Sequence, residues 1–360
     1  LKKFLCTCLV TAAAFAATTI SASACTTIYV GGDLVEEGTP FVARTEDYGS
    51  DYNKLWFISE SGKWKQGDHY VGCPEYGPFE WDFTHDSYRF TYFTNDIYYD
   101  GICPECGEKA DHYSYTEFGT NEKGVSVSAT ETLYGNKKVT EADPYRDAEW
   151  AEANKSERIG IEETDIPTII LAEASSAREG VKLLLDIYEN YGCVAASGVF
   201  VCDKDEVWYV ENCSGTQYVA IKLNDNMIFL EPNMAVIGRV DLDDENVIAS
   251  KDLIAVAKKA GTFVGDEAKN IIDFRASYAR ISEKMDQRMI DGLNYLNVAY
   301  KYDSDALVTD NTKFTISNLD ASDKLVALYT NIKADRKLDK DDVFGYYKLS
   351  SIGKASNQEI

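Results

Sequence analysis

Cys25 follows Ser-Ala-Ser-Ala and opens the run Cys-Thr-Thr-Ile-Tyr-Val. A cysteine at a newly cut N-terminus carries a thiol and a free α-amine on one residue. That amine titrates near neutrality, with a reference pKa of roughly 8, so it can act as base toward its own thiol without a histidine. Such a nucleophile needs a cation that favours the thiolate, a carboxylate that holds the amine and donors that meet an oxyanion. Arg44-Thr-Glu-Asp47 offers the first two, Arg44 as the cation and Asp47 as the carboxylate, at the end of an expected strand. Alone, R-x-x-D is more often a surface ion pair; beside an N-terminal cysteine it gains weight. The histidines, His69, His85 and His112, all fall in one loop region with no evident partner.

The residues before Cys25 supply the cut. Lys2 and Lys3 give a basic start, Leu9–Ile20 is apolar and small, and Ala22-Ser23-Ala24 fits the small-x-small cleavage rule. Residues 1–24 therefore read as a secretory signal peptide, and the protein as secreted or held in the cell envelope. The 336 residues that remain can build one large core or two ordinary ones. Net charge is -24 over the whole chain, and -26 without Lys2 and Lys3. A chain this acidic is repelled by nucleic acid and by anionic membrane surfaces. No later apolar run is long enough for a membrane helix, so no stable membrane association is expected. The sequence has no internal repeat, no low-complexity tract and no G-x-S-x-G elbow.

Seven cysteines remain after Cys6 and Cys8 leave with the signal. An odd count in an exported chain leaves at least one thiol over, and Cys25 is the natural one. Cys73, Cys103, Cys106, Cys193, Cys202 and Cys213 could then form up to three disulfides, with pairing unspecified. Cys103-Pro-Glu-Cys106 is half of a zinc pattern, but no second pair follows at a recognisable spacing. A disulfide is the favoured reading there and a metal site is not expected. The surrounding segment Ser61–Phe118 is loop-rich and full of tyrosine, which suits a lid, a subunit contact or plain packing.

Several elements must position these groups. Cys25–Gly32 and Thr39–Arg44 read as adjacent strands, and Gly124–Thr130 alternates like a half-buried one. Asp165–Gly192 reads as helical, with Pro167 in a first turn, a capping box at Ser176–Glu179 and an apolar face of Val181, Leu184, Leu185 and Tyr188. Val194–Cys202, Glu206–Glu211, Gln217–Leu223 and Met227–Leu230 are strands joined by turns short enough for hairpins. Helices are expected again over Glu245–Ala260 and Ala268–Leu296. Strands, helices, strands and helices in that order suggest two antiparallel sheets covered by helices.

Four segments carry a family likeness: C-T-T-I-Y-V-G, F-V-A-R-T-E-D, T-N-E-K-G-V-S-V-S-A-T-E-T and W-Y-V-E-N-C-S-G-T-Q-Y-V-A. In this order they resemble the cysteine dipeptidases of the N-terminal nucleophile hydrolase superfamily, relatives of bile salt hydrolases and penicillin V acylases. The likeness runs from Cys25 to about residue 350. It implies an α+β fold, a four-layer αββα sandwich of two antiparallel sheets, over residues 25–360. It implies hydrolysis of dipeptides with a free amino terminus and no cofactor. Cys25 would be the nucleophile and its amine the base, with Arg44 beside the thiol and Asp47 on the amine. Asn233, in L-E-P-N, would donate to the oxyanion, though it also suits a turn after Pro232. Glu131 stands where relatives often carry asparagine, and an ionised glutamate cannot donate. Arg288 matches a late arginine of the relatives, although a helix arginine is more often an ion-pair partner on a solvated face.

Two departures from the family accompany the likeness. Its members usually continue well past a motif like D-R-K-L-D-K-D-D-V-F, whereas this sequence runs from Leu1 to Ile360; the reading allows a C-terminal truncation that removes a final strand. The Ser61–Phe118 segment looks enlarged, so substrate range need not follow the family. Two other functions are weighed against a dipeptidase. One is a related amidase acting on N-acyl amino acids or bile-salt-like amides. The other is a non-catalytic surface lipoprotein lipidated at Cys25, disfavoured because Ala22 replaces the usual leucine three places before the cysteine. A homo-oligomer is compatible with the sequence.

Overall fold

Thr26–Val30 (β1) is buried at all five positions, so it cannot be a strand with one wet face. A strand dry on both sides belongs to an inner layer, and the layers on either side of β1 define the fold. The computed structural model describes residues 25–45, 54–72, 79–95, 116–131, 133–280, 286–296, 325–327 and 337–349. In it β1 pairs antiparallel with β2 (Phe41–Thr45) on one side and β12 (Ile228–Glu231) on the other.

Facing this three-stranded sheet is an eight-stranded one, antiparallel throughout. Its order is β14 (Val247–Ala249), β11 (Tyr218–Lys222), β10 (Val207–Asn212), β9 (Ser197–Cys202), β8 (Ser126–Glu131), β7 (Phe118–Asn121), β6 (Phe90–Asn95) and β3 (Lys54–Ser59). Successive side chains of a strand point to opposite faces, and in the central strands β9, β10 and β11 both faces are dry. Val199, Val201, Trp208, Val210 and Ala220 pack on one side with helices α3 (Ile166–Glu173) and α4 (Ala177–Asn190). Phe200, Tyr209, Val219 and Ile221 pack on the other, with Tyr29 and Phe229 of the small sheet. Phe200, Tyr209 and Phe229 lie ring on ring, with centroids 4.6 and 4.8 Å apart along the chain of contacts, and clamp β12 onto the large sheet. Each such aromatic pair contributes about 0.5–1.5 kcal/mol beyond its buried area.

The outer face of the small sheet is covered by α7 (Gln287–Tyr295) and α8 (Lys340–Tyr347). Tyr347 donates its hydroxyl to the carbonyls of Ala43 (2.6 Å) and Thr26 (3.3 Å), pinning β1 and β2 together near the site. The two helices approach closely at Gly292, where a Cβ would stand 2.5 Å from the Tyr346 ring. The order is helix, sheet, sheet, helix, the αββα sandwich that the resemblance implies.

Smaller elements complete the chain. α1 (Lys137–Ala142) and α2 (Ala148–Asn154) follow β8; β4 (His69–Val71) and β5 (Glu80–Asp82) form a hairpin. β13 (Ile237–Asp241), β15 (Gly265–Asp266), β16 (Ile271–Asp273) and β17 (Leu325–Ala327) make a third sheet with α6 (Phe274–Tyr278) beside it, while α5 (Leu253–Ala260) packs on α1.

Several expectations meet the structure well. Val181, Leu184, Leu185 and Tyr188 are all buried, and Gly192, at φ +77°, ends α4. The helical stretch is nonetheless two helices, because Ser176 caps a fresh start by accepting from the Glu179 N–H at 3.2 Å. Glu179 does not complete the reciprocal box; its carboxylate takes the Ser175 N–H instead. The expected helix at Glu245–Ala260 begins only at Leu253, since Val247–Ala249 pairs with β11 as an edge strand. The expected helix at Ala268–Leu296 is likewise broken into β16, α6 and α7. In the tyrosine-rich segment, Trp64, Tyr70, Phe83 and Phe90 stack into the helix-side core, so packing accounts for those aromatics.

Disulfides involving Cys193, Cys202 or Cys213 are not formed; all three are free thiols. For Cys193 and Cys213 the reason is the large sheet itself. Cys193 lies in the helix-side core and Cys213 in the core between the sheets, so a layer of backbone separates them. Cys193 Sγ also accepts from Asn212 Nδ2 at 2.7 Å and donates to the Ser214 carbonyl at 3.1 Å. Cys73, Cys103, Cys106 and His112 lie outside the described residues.

Candidate active site

The register of the small sheet sets the site. Thr27 of β1 stands opposite Arg44 of β2 and opposite Glu231 of β12. Residues directly opposite in a sheet share a face, and so do residues two apart on one strand. Cys25, Thr27, Arg44 and Glu231 therefore project together, toward β8 of the large sheet. The β8 positions that meet them are small and polar, Ser128 and Thr130, while Val127 and Ala129 turn to the helix-side core.

Arg44 joins the two sheets. Its Nη1 donates to the carbonyls of Ala129 (2.6 Å) and Glu117 (3.0 Å) and to Ser128 Oγ (3.0 Å). With that half fixed, Nη2 donates to Cys25 Sγ at 3.1 Å. A fixed cation against sulfur is the setting in which a thiolate is favoured and reactive. The guanidinium is 7% exposed, so water screens it little.

Arg288, in the first turn of α7, holds the other end of the same cysteine. Its Nη1 donates to the Cys25 carbonyl (3.0 Å), to Thr26 Oγ1 (3.0 Å) and to Asn233 Oδ1 (2.9 Å). Its Nη2 donates to the Pro232 carbonyl at 2.6 Å, and Asp286 pairs with the guanidinium at 3.0 Å. The expectation of a solvated ion-pair arginine is half right. The ion pair exists, but Arg288 is buried and turned inward onto β1 and β12.

Asn233 follows β12 with φ +53°, a left-handed conformation that asparagine tolerates better than most residues. Its N–H donates to Glu231 Oε1 at 3.0 Å and its side-chain oxygen is held by Arg288. Its geometry meets the turn-residue reading, and Arg288 links its side chain to the Cys25 carbonyl. Asp47 lies outside the described residues. Glu131 ends β8, opposite Ser197 of β9.

Sequence reasoning missed three carboxylates. Glu231 is fully buried; burial pushes its carboxyl up to about 7, against the pull of the nearby Arg288 and Arg44 charges and the Asn233 N–H. Glu211, on β10, is also fully buried and accepts from the N–H groups of Val236 (2.6 Å) and Ile237 (3.1 Å). Burial raises it to about 8, with the Glu231 charge adding to the rise. A glutamate inside otherwise apolar strands, as in I-F-L-E and W-Y-V-E, is the signal that could have found both. The third is Glu163, in the turn before α3, with Oε1 4.0 Å from Arg44 Nη2; nothing local in the sequence marks it.

A cavity of about 520 Å³ reaches the site from between the sheets, lined by Val42, Arg44, Phe118, Ser128, Phe200 and Cys202 among others. Its size suits a small ligand. A larger groove of about 820 Å³, lined by Trp81, Arg146, Trp150, Arg158 and Tyr191 among others, shares no residue with this site. Among the described residues, no group of three or more His, Cys, Asp or Glu side chains is placed to hold a metal ion.

The model of peptidase family C69 matches residues 24–324. The chain belongs to that family. As a C69 chain it is 33% identical over 247 residues to a probable dipeptidase B of Streptococcus pyogenes, covering 68% of this chain and 44% of that protein. It is 32% identical over 262 residues to a probable dipeptidase of Salmonella dublin, covering 71% of this chain and 53% of that one. The C69 chain thus spans about half the length of these curated relatives. Among solved structures, a penicillin V acylase from Agrobacterium tumefaciens is similar over 58% of this chain and 49% of that one, at 15% identity and a TM-score of 0.33.

Proposed function

We propose that this C69 chain is an exported cysteine dipeptidase in which Cys25, uncovered by cleavage after Ala24, is the nucleophile. One observation carries the reading: Arg44 donates to the Cys25 thiol while Arg288 donates to its carbonyl. Two cations from different layers grip one residue at both ends, which orients its sulfur and leaves its amine on the remaining side. The family match begins at residue 24, beside that cysteine, and the Streptococcus and Salmonella relatives carry dipeptidase names.

In this reading the Cys25 α-amine takes the thiol proton and the sulfur attacks the carbonyl carbon of the dipeptide. The carbonyl oxygen becomes an oxyanion. Asn233, whose Oδ1 accepts from Arg288, is the proposed donor to it through Nδ2. The C–N bond then breaks, the amine returns its proton to the leaving amino acid, and a thioester stays on Cys25. Water, deprotonated by the same amine, adds to the thioester and releases the second amino acid. Asp47 is the proposed partner of the amine. No metal or organic cofactor takes part in these steps.

A panel of free dipeptides, run beside N-acyl amino acids, tests the proposal on exported and processed protein. Dipeptide turnover is expected, and Cys25→Ala is expected to abolish it while the melting temperature stays within a few degrees. Turnover of the acyl substrates alone would favour the amidase. Full activity in Cys25→Ala would sink the nucleophile.

A further inference from the structure

We infer that Glu163 reads the free amino terminus of the substrate and so selects dipeptides over N-acylated amides; this rests on the dipeptidase reading above. Glu163 is the one residue between Gly160 and Ala174 that is not buried. Its turn is fastened on both sides. The Asp165 N–H donates to the Glu162 carbonyl at 3.1 Å, Tyr70 donates to Asp165 Oδ1 at 2.6 Å, and Thr168 donates to Thr116 Oγ1 at 2.7 Å. The backbone that carries Glu163 is thereby fixed against the large sheet while its side chain keeps 12% exposure at the site.

Its reach follows from two distances that share one atom. Arg44 Nη2 lies 4.0 Å from Glu163 Oε1 and 3.1 Å from Cys25 Sγ, so the carboxylate oxygen is at most about 7 Å from the sulfur. In a dipeptide the α-nitrogen is roughly 2.5 Å from the scissile carbonyl carbon by standard backbone geometry. The carbon approaches sulfur to about 3–3.5 Å before attack, and an ammonium–carboxylate hydrogen bond spans about 2.7–2.9 Å. These lengths laid end to end exceed 7 Å, so an α-ammonium can bond Glu163 while its own carbonyl sits over Cys25. At 4.0 Å the Arg44 contact is an ion pair longer than a direct hydrogen bond. An N-acyl substrate presents a neutral amide here and forfeits the charge-assisted hydrogen bond that an ammonium would make.

The test compares the best dipeptide of the panel with its N-acetyl form, on wild type and Glu163→Gln. The quantity read is the ratio of the two kcat/KM values. Glutamine keeps the size and the acceptor oxygen but loses the charge. The preference for the free dipeptide is expected to fall tenfold to a hundredfold, the range for loss of one charge-assisted hydrogen bond. Where N-acetyl turnover is too slow to time, the ratio of Kd values on Cys25→Ala protein, with and without Glu163→Gln, gives the same reading. A ratio that stays within threefold of wild type overturns the inference, whether both substrates slow together or neither does. Wild-type protein that cleaves no dipeptide would overturn the dipeptidase reading, and this inference with it.

Discussion

Arg288→Met separates holding the nucleophile from holding the fold. Methionine nearly fills the volume but cannot donate, so the carbonyls of Cys25 and Pro232, Thr26 Oγ1 and Asn233 Oδ1 each lose a partner. Hydrogen bonds from a charged donor contribute about 1.5–3 kcal/mol each. Two of the four lost bonds, to Cys25 and Asn233, reach the proposed reacting groups. Because they share one nitrogen they do not add fully, and about 3 kcal/mol is the expected loss in transition-state stabilisation, near a hundredfold in kcat/KM. Stability is expected to fall as well, by about 2–4 kcal/mol, since the Pro232 carbonyl is left dry; Asp286, 30% exposed, is recovered by water. Asp286→Asn is the control. It removes the ion pair and leaves the arginine to bond Cys25, so its activity is expected to stay within tenfold of wild type. Dipeptide kinetics at a temperature where both variants are folded decide the matter. Folded Arg288→Met protein within threefold of wild type, or Asp286→Asn falling as far as Arg288→Met, would refute the role assigned to Arg288.

Two further outcomes follow from the geometry. Asn233→Gly keeps the left-handed turn at φ +53° without strain and removes the amide donor; the melting temperature is expected within a few degrees of wild type and kcat about 10²–10³-fold lower, as for loss of one oxyanion donor, and retained kcat would remove Asn233 from the reaction. Glu211 is raised by burial from its ordinary 4.5 to about 8, so its contribution to stability is full below pH 4.5 and is lost as pH rises through 8; the loss is on the order of 3–5 kcal/mol. Glu211→Gln has no proton to lose there. Urea unfolding at pH 5.5 and pH 9 is expected to show wild type losing more stability than the variant, and parallel losses would contradict the buried neutral carboxyl.

The parts of the fold that were legible are those whose pattern is local. β1 announces itself by β-branched and aromatic residues, α4 by its capped apolar face, and β9 to β12 by short turns between apolar runs. Val247–Ala249 was misread because its residues suit a helix well enough, and pairing with β11 at the sheet edge decides the outcome. The disulfide expectation failed for Cys193, Cys202 and Cys213 because a cysteine count carries no information about where in the fold each sulfur lies. The site divides in the same way. The contact of Arg44 with Cys25 was legible because an expected cleavage point and a strand end mark the two residues. Arg288 was misread because its helix position says nothing about the β12 turn it covers, 55 residues earlier at Asn233. Glu163 meets Arg44 only through the packing of α3 on the large sheet.

The mass of the N-terminal peptide, from exported protein treated with a thiol alkylator, tests the central claim most directly. The account predicts a peptide that begins at Cys25, with an unmodified α-amine and one alkyl group on sulfur. A start at another residue, or a diacylglyceryl mass on Cys25, would remove nucleophile and base together and contradict it.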